Sequence, residues 1–145
     1  MPGWIAQGFD EYAKRMPREC RLELLEIEPV PRKRAQDHQR ALDIEAERLL
    51  AAVPKRAHCV ALAINGQSWS TVQLAQRLNS WMASGHDVAL LVGGADGLAP
   101  ACLTHASEQW SLSPLTFPHP LVRVILAEQL YRAWSLLHGH PYHRQ

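Results

Sequence analysis

Val88-Ala89-Leu90-Leu91-Val92-Gly93-Gly94-Ala95-Asp96-Gly97 decides the fold. Its apolar run shows no polar alternation, so a strand built from it needs cover on both faces, the condition met in a parallel sheet with helices on either side. The run ends on glycines. In open α/β sheets ligands bind at the carboxyl ends of strands, and glycine there permits positive φ and close approach of the backbone. The spacing Gly93-Gly94-x-x-Gly97 is not a phosphate loop, which needs a Gly-Lys-Ser/Thr end. Nor is it the dinucleotide fingerprint, which opens near a chain's first strand. Taken alone it fits a tight turn as well as a cofactor loop.

Outward from this stretch, strand and helix alternate. His58-Cys59-Val60-Ala61-Leu62-Ala63-Ile64 is a second apolar strand, closed by an Asn65-Gly66 turn. Ser70-Thr71-Val72-Gln73 is a capping box that opens a helix running to about Ser84 and stopping at Gly85. Upstream, Trp4, Ile5, Phe9, Tyr12, Ala13 and Met16 recur at helical spacing as far as Pro17. Leu22 to Ile27 alternates as a half-buried strand, and His38 to Ala52 carries a stripe of Leu42, Leu49 and Leu50. Downstream, a short helix follows Pro100. The last helix has Pro120 in its first turn, where a missing amide proton costs nothing, and extends to Leu137. A single domain spanning residues 1–145 is expected.

The chain has 145 residues, 47% of them hydrophobic, enough for one real core. Its 15 Lys+Arg and 14 Asp+Glu leave a formal charge of +1, so any nucleic-acid contact has to come from a local patch. No apolar run is long enough to span a membrane, and the amino end has no secretory apolar core, which points to the cytoplasm. Cys20, Cys59 and Cys102 include no Cys-x-x-Cys pair, so they read as buried thiols and no metal is expected.

Three further segments carry chemistry. Ser111, Ser113 and Thr116, threaded between Leu112, Pro114, Leu115 and Phe117, suit an uncharged or zwitterionic heterocycle better than a triphosphate, because no lysine is at hand. Their bland reading is a turn whose hydroxyls bond nearby backbone. In the last helix Leu121, Val122, Val124, Ile125, Leu126 and Ala127 are apolar all round, which requires burial in the core or in a subunit interface. Arg123 interrupts them and needs an anion or water. Glu128 and Arg132, four apart, can pair with each other. The tail Gly139-His140-Pro141-Tyr142-His143-Arg144-Gln145 is too short to pack as an element, yet it joins an aromatic, two histidines and an arginine, which suits a flipped base and its phosphates. Pro29-Val30-Pro31-Arg32-Lys33-Arg34 is expected to be a solvated loop, with phosphate contact as the competing view.

The ordered set Val92-Gly93-Gly94-Ala95-Asp96-Gly97-Leu98, Ser111 to His119, Arg123, Glu128-Gln129-Leu130-Tyr131-Arg132-Ala133 and Pro141-Tyr142-His143 resembles the large-subunit ribosomal pseudouridine N3-methyltransferase family, of the knotted SPOUT class. The resemblance covers essentially the whole chain. It implies an α/β fold with helices on both faces of a parallel sheet and a trefoil knot over roughly residues 88–145. It also implies a homodimer that binds S-adenosyl-L-methionine at Leu62, Gly93, Gly94, Gly97, Leu112, Ser113, Pro114, Leu115, Thr116 and Phe117. The implied reaction is methylation of N3 of a pseudouridine in 23S rRNA, on the assembled ribosome. His143 is the favoured base for the N3 proton, with Glu128 as the other candidate. Tyr142 would stack on or orient the nucleobase, and Arg123, Arg132, Tyr142, His143 and Arg144 would face the RNA.

Two alternatives share these residues: a knotted methyltransferase for another RNA position, and a ribosome-binding protein impaired in catalysis. Members of the family usually have a hydrophobic strand and a Gly/Lys loop ahead of the segment that here starts at Met1-Pro2-Gly3-Trp4, so the chain is expected to lack both. Ala95 stands where proline is common and is expected to loosen the loop slightly.

Overall fold

A computed structural model describes residues 3–94 and 96–144, and at His143 and Arg144 the backbone alone. The helices are α1 (Gly3–Ala13), α2 (Asp37–Ala52), α3 (Thr71–Ser84), α4 (Pro100–His105) and α5 (His119–Leu137). The strands are β1 (His58–Ser68), β2 (Val88–Leu91) and β3 (Glu108–Ser111), with 3-10 turns at Arg18–Cys20 and Pro141–Arg144. The fold is α/β, as the alternation of strand and helix predicts.

The chain divides into two compact units. The first, Leu24–Gln67 with Asp87–Pro114, contains the sheet, in the order β2-β1-β3. β1 and β2 run parallel, with His58 opposite Val88 and Ala61 opposite Leu91. Cys59, Val60 and Ala61 are buried in succession. Since neighbouring residues of a strand face opposite ways, three in a row mean that both faces are covered, as the unbroken apolar run requires. Ala46 of α2, Leu91 of β2, and Ala99 and Cys102 at α4 form one buried cluster, against which Leu42, Leu49 and Leu50 pack.

The second unit, Met1–Glu23, Ser68–His86 and Leu115–Gln145, is helical. α3 buries Leu74, Ala75, Leu78 and Trp81, one face of a 3.6-residue repeat. Its start is fixed as the sequence dictates: the Gln73 amide donates to Ser70 Oγ at 3.1 Å and the Ser70 amide donates to Gln73 Oε1 at 2.9 Å. α1 lies on α5, where a Cβ on Gly8 would stand 3.2 Å from the methyls of Val124. Burial along α5 is uneven. Leu126, Ala127, Leu130, Tyr131 and Ala133 are buried, whereas Leu121, Val122, Val124 and Ile125 remain half-exposed in the single chain.

Three local expectations are corrected. Residues 22–27 form no strand: alternation gives a strand only where backbone groups find a ladder partner. The residues just after it are tied to α2 by side chains, Arg48 donating to the Glu28 carbonyl at 2.9 Å and the Val30 amide to Glu45 Oε2 at 2.8 Å. Asn65-Gly66 does not close β1, which continues to Ser68. Gly66 serves close packing instead, because a Cβ there would stand 2.6 Å from the backbone of Gln109. Finally, Ser111, read with Ser113 and Thr116 as one segment, is the last residue of a strand, Glu108–Ser111.

Candidate functional site

In the sheet-bearing unit the expected cofactor residues lie within a strand, as Leu62 does in β1, or in the segments that follow β2 and β3. Leu62 comes directly after Ala61, the register partner of Leu91, so it stands beside the point where β2 leaves for Gly93. On the other side of β1, β3 ends at Ser111 and delivers Leu112, Ser113 and Pro114. Leu62, Leu112 and Ser113 are half-buried. Ser111 Oγ donates to the Ser113 carbonyl at 3.3 Å, the local bond foreseen for a turn of hydroxyls. Leu115, Thr116 and Phe117 continue the same loop within the helical unit, Leu115 being 69% exposed.

The glycines divide by role. The chain turns back on itself between Gly94 and Gly97, the Gly97 amide donating to the Gly94 carbonyl at 3.0 Å. A Cβ on Gly93 would lie 2.4 Å from the carbonyl carbon of Gly97, so no other residue fits without moving the backbone. Gly97 has φ of +76° and is required by conformation. Gly94 needs neither reason: its φ is not positive, and among the described residues a Cβ on it would meet nothing within 4 Å. The tight-turn reading of the motif therefore holds at Gly93 and Gly97, and Gly94 presents an open backbone face among the described residues. The expected loosening at Ala95 falls outside the described residues.

Asp96, in the same loop, has its own anchor. Arg32 is directed by Glu45 of α2, its Nη1 and Nη2 donating to the two carboxylate oxygens at 2.8 and 2.7 Å. Its Nε lies 2.8 Å from Asp96 Oδ2. That contact is an ion pair outside good hydrogen-bond geometry, which is why the nitrogen counts as buried without a hydrogen bond. The Arg32 hydrogen bonds, first, hold the Glu45 carboxyl below the ordinary carboxylate range, against the opposing effect of burial. The basic run is thus not uniformly solvated: Arg32 is turned inward, while Lys33 and Arg34 are exposed.

In the helical unit Tyr142 of the tail packs on α5, contrary to expectation, whereas Gly139, His140 and Pro141 are exposed. Tyr142 lies 4.8 Å from Tyr131, centroid to centroid, and the Arg132 guanidinium sits 5.1 Å over its ring. Its hydroxyl donates to Glu128 Oε1 at 3.1 Å. The tail can pack because the aromatic ring supplies most of the area an element would need. Glu128 Oε1 also accepts from Arg132 Nε at 2.9 Å and Nη2 at 2.6 Å, and Glu128 Oε2 accepts from Gln129 at 2.7 Å. The i,i+4 pairing of Glu128 with Arg132 is therefore formed. Burial, followed by hydrogen bonding with Tyr12 and the charge of Glu128, pushes the Tyr142 phenol well above its ordinary range, so at neutral pH it is a donor. Arg123 is half-buried and engaged within the chain. The side chains of His143 and Arg144 lie outside the described residues.

Cys59 and Cys102 are buried and Cys20 partly so, and burial raises all three thiols, which suits packing and not nucleophilic chemistry. Among the described residues no group of three or more His, Cys, Asp or Glu could hold a metal ion. No helix there is long and apolar enough to cross a membrane.

An α/β sheet whose strands deliver a glycine loop and a second polar-apolar loop defines a class of protein, and the chain belongs to it: residues 1–143 match the family described as "Predicted SPOUT methyltransferase". More particularly, it is similar to proteins named "Ribosomal RNA large subunit methyltransferase H". The relative from Hahella chejuensis is 58% identical over 100% of this chain and 93% of its own length. That from Methylococcus capsulatus is 59% identical over 99% and 93%, and that from Thioalkalivibrio sulfidiphilus 57% over 100% and 93%.

Proposed function

We propose that the protein transfers a methyl group from S-adenosyl-L-methionine to N3 of a pseudouridine in 23S rRNA, acting as a cytoplasmic homodimer on the assembled ribosome. The observation that carries this reading is the backbone at Gly94, open among the described residues, in a chain so similar to large-subunit rRNA methyltransferases. The donor set fits the cofactor. A glycine backbone, Leu62 and Leu112 for an apolar ring, and Ser113 and Thr116 hydroxyls suit a zwitterion bearing a heterocycle. We assign its binding to Leu62, Gly93, Gly94, Gly97 and Leu112 through Phe117. When bound, the cofactor supplies an electrophilic methyl group.

The chain's residues then have positioning and proton transfer to perform. N3 of the base carries an imide proton that must leave. Glu128 is poorly suited to take it, because donors from Arg132, Gln129 and Tyr142 already occupy both its oxygens. We assign that proton to His143, which follows Tyr142 in the 3-10 turn. Glu128 and Tyr142 hold the tail that presents His143 to the nucleobase. Arg144, with Arg123 and Arg132 on α5, supplies positive charge toward phosphates. The half-exposed Leu121, Val122, Val124 and Ile125 support a dimer contact on α5, which would allow one protomer's tail to serve its partner. We also place residues 1–145 in a single domain, with the trefoil knot over roughly residues 88–145.

The test is transfer of labelled methyl to large-subunit rRNA by the purified protein, in assembled ribosomes and in free rRNA. Transfer to ribosomes at one pseudouridine is expected, and transfer at another position or none at all overturns the reading. His143→Ala should lower kcat by about 100-fold or more and remove the acid limb of the pH profile. An unchanged profile would remove His143 from the role.

A further inference from the structure

We propose that Arg32 is a positioning residue for the methyl-donor site, acting through Asp96 to hold the glycine loop ready for its ligand. The inference rests on the assignment of Gly93, Gly94 and Gly97 to donor binding and adds a residue about 60 positions upstream in sequence. Among the described residues of the loop from Gly93 to Gly97, three are glycines, the residue type that loses most conformational freedom on ordering, and the Gly97 amide bonded to the Gly94 carbonyl closes the turn. Asp96 lies within that closed turn, and its carboxylate points to Arg32 Nε at 2.8 Å.

Arg32 is itself rigidly held. Its two terminal nitrogens grip Glu45 on α2, and Nη1 also donates to the Val30 carbonyl at 3.0 Å. Only 19% of its side chain is exposed. The guanidinium is thus a cross-tie with one side on a helix and the other on the loop. All three of its nitrogens are engaged within the protein, so it is not available to an RNA phosphate. Lysine cannot replace it, because one ammonium lacks the planar fork that meets Glu45 while a third nitrogen faces Asp96. A loop ordered beforehand costs less to order when the ligand arrives, so the tie should appear as donor affinity.

Calorimetry of the full chain with S-adenosyl-L-methionine tests this, alongside thermal melting and methyl transfer to ribosomes. Asp96→Asn and Arg32→Gln are each expected to weaken donor binding by about tenfold and to raise the donor KM equally, with kcat at saturating donor within about twofold of wild type. The double variant should be no weaker than the worse single one, because both changes cut the same tie. Arg32→Lys should retain most of the stability that Arg32→Gln loses and still bind weakly. Asp96 is exposed, so Asp96→Asn should melt within about 2 °C of wild type and keep the test valid if Arg32→Gln folds poorly. Wild-type affinity in Asp96→Asn, or additive losses in the double variant, overturns the proposal. Absence of binding by the wild type overturns the cofactor assignment and this inference with it.

Discussion

At the scale of single residues, the glycine loop separates what the fold needs, at Gly93 and Gly97, from what the proposed donor site would use, at Gly94. Gly93→Ala would drive a Cβ to within 2.4 Å of the Gly97 backbone, and a loss of about 2–3 kcal/mol is expected in urea unfolding. Gly94→Ala meets no such obstacle. Its stability should stay within about 0.5 kcal/mol of wild type while donor affinity falls, because the new methyl occupies the open face. Equal losses of stability in the two variants would refute the division. Tyr142 offers a second check. Its folded pKa is raised, so the stability it contributes is complete below its unfolded value, about 10, and is lost as pH rises through the higher folded value. In an ultraviolet titration of the folded protein, the absorbance change that Tyr142→Phe removes should come from the alkaline end of the wild-type curve, above the ordinary tyrosine range. The roles of Gly93 and Gly94 could not be distinguished in sequence, since both are glycine after an apolar strand and only the path of the backbone tells them apart.

At the scale of elements, the most legible features were those with a local cause. The Ser70/Gln73 box needs only four residues to specify itself, and it starts α3 as read. Ser70→Ala should cost about 1 kcal/mol of stability, measured by denaturant unfolding. β1 and β2 were legible because their apolar runs exceed what any half-buried element tolerates. Where pairing decides, the sequence was silent. Residues 22–27 alternate as a strand should and have no ladder, while Glu108–Ser111 is too short to show a pattern and becomes a strand beside β1. The basic loop hid its main feature for a similar reason, since three adjacent bases look alike until Glu45 and Asp96 single out Arg32. That pairing carries a pH signature. The Glu45 carboxyl is lowered by Arg32, so its contribution is present above the unfolded value near 4.5 and fades as pH falls through the folded one. Glu45→Gln should flatten the loss of stability on acidification below about pH 5 and cost about 1–3 kcal/mol at neutral pH.

At the scale of the whole molecule, the proposal gives the methyl donor to the loops after the strands and the nucleobase to the tail. If residues 1–145 form one domain, fluorescence and circular dichroism should report a single coincident unfolding transition, and two separated transitions would contradict that reading. The family was legible from sequence because its motifs recur in order along the chain, a long-range pattern that no single glycine pair supplies. The packing of Tyr142 on Tyr131 and its hydroxyl bond to Glu128 were not legible, because a tail's docking depends on an aromatic surface assembled by α5. The central claim is that this chain methylates N3 of a pseudouridine in large-subunit rRNA. Mass mapping of 23S rRNA from cells with and without the gene tests it most directly. The account predicts one pseudouridine that is lighter by a methyl group when the gene is absent and restored when it is returned. Identical maps from the two strains would contradict it.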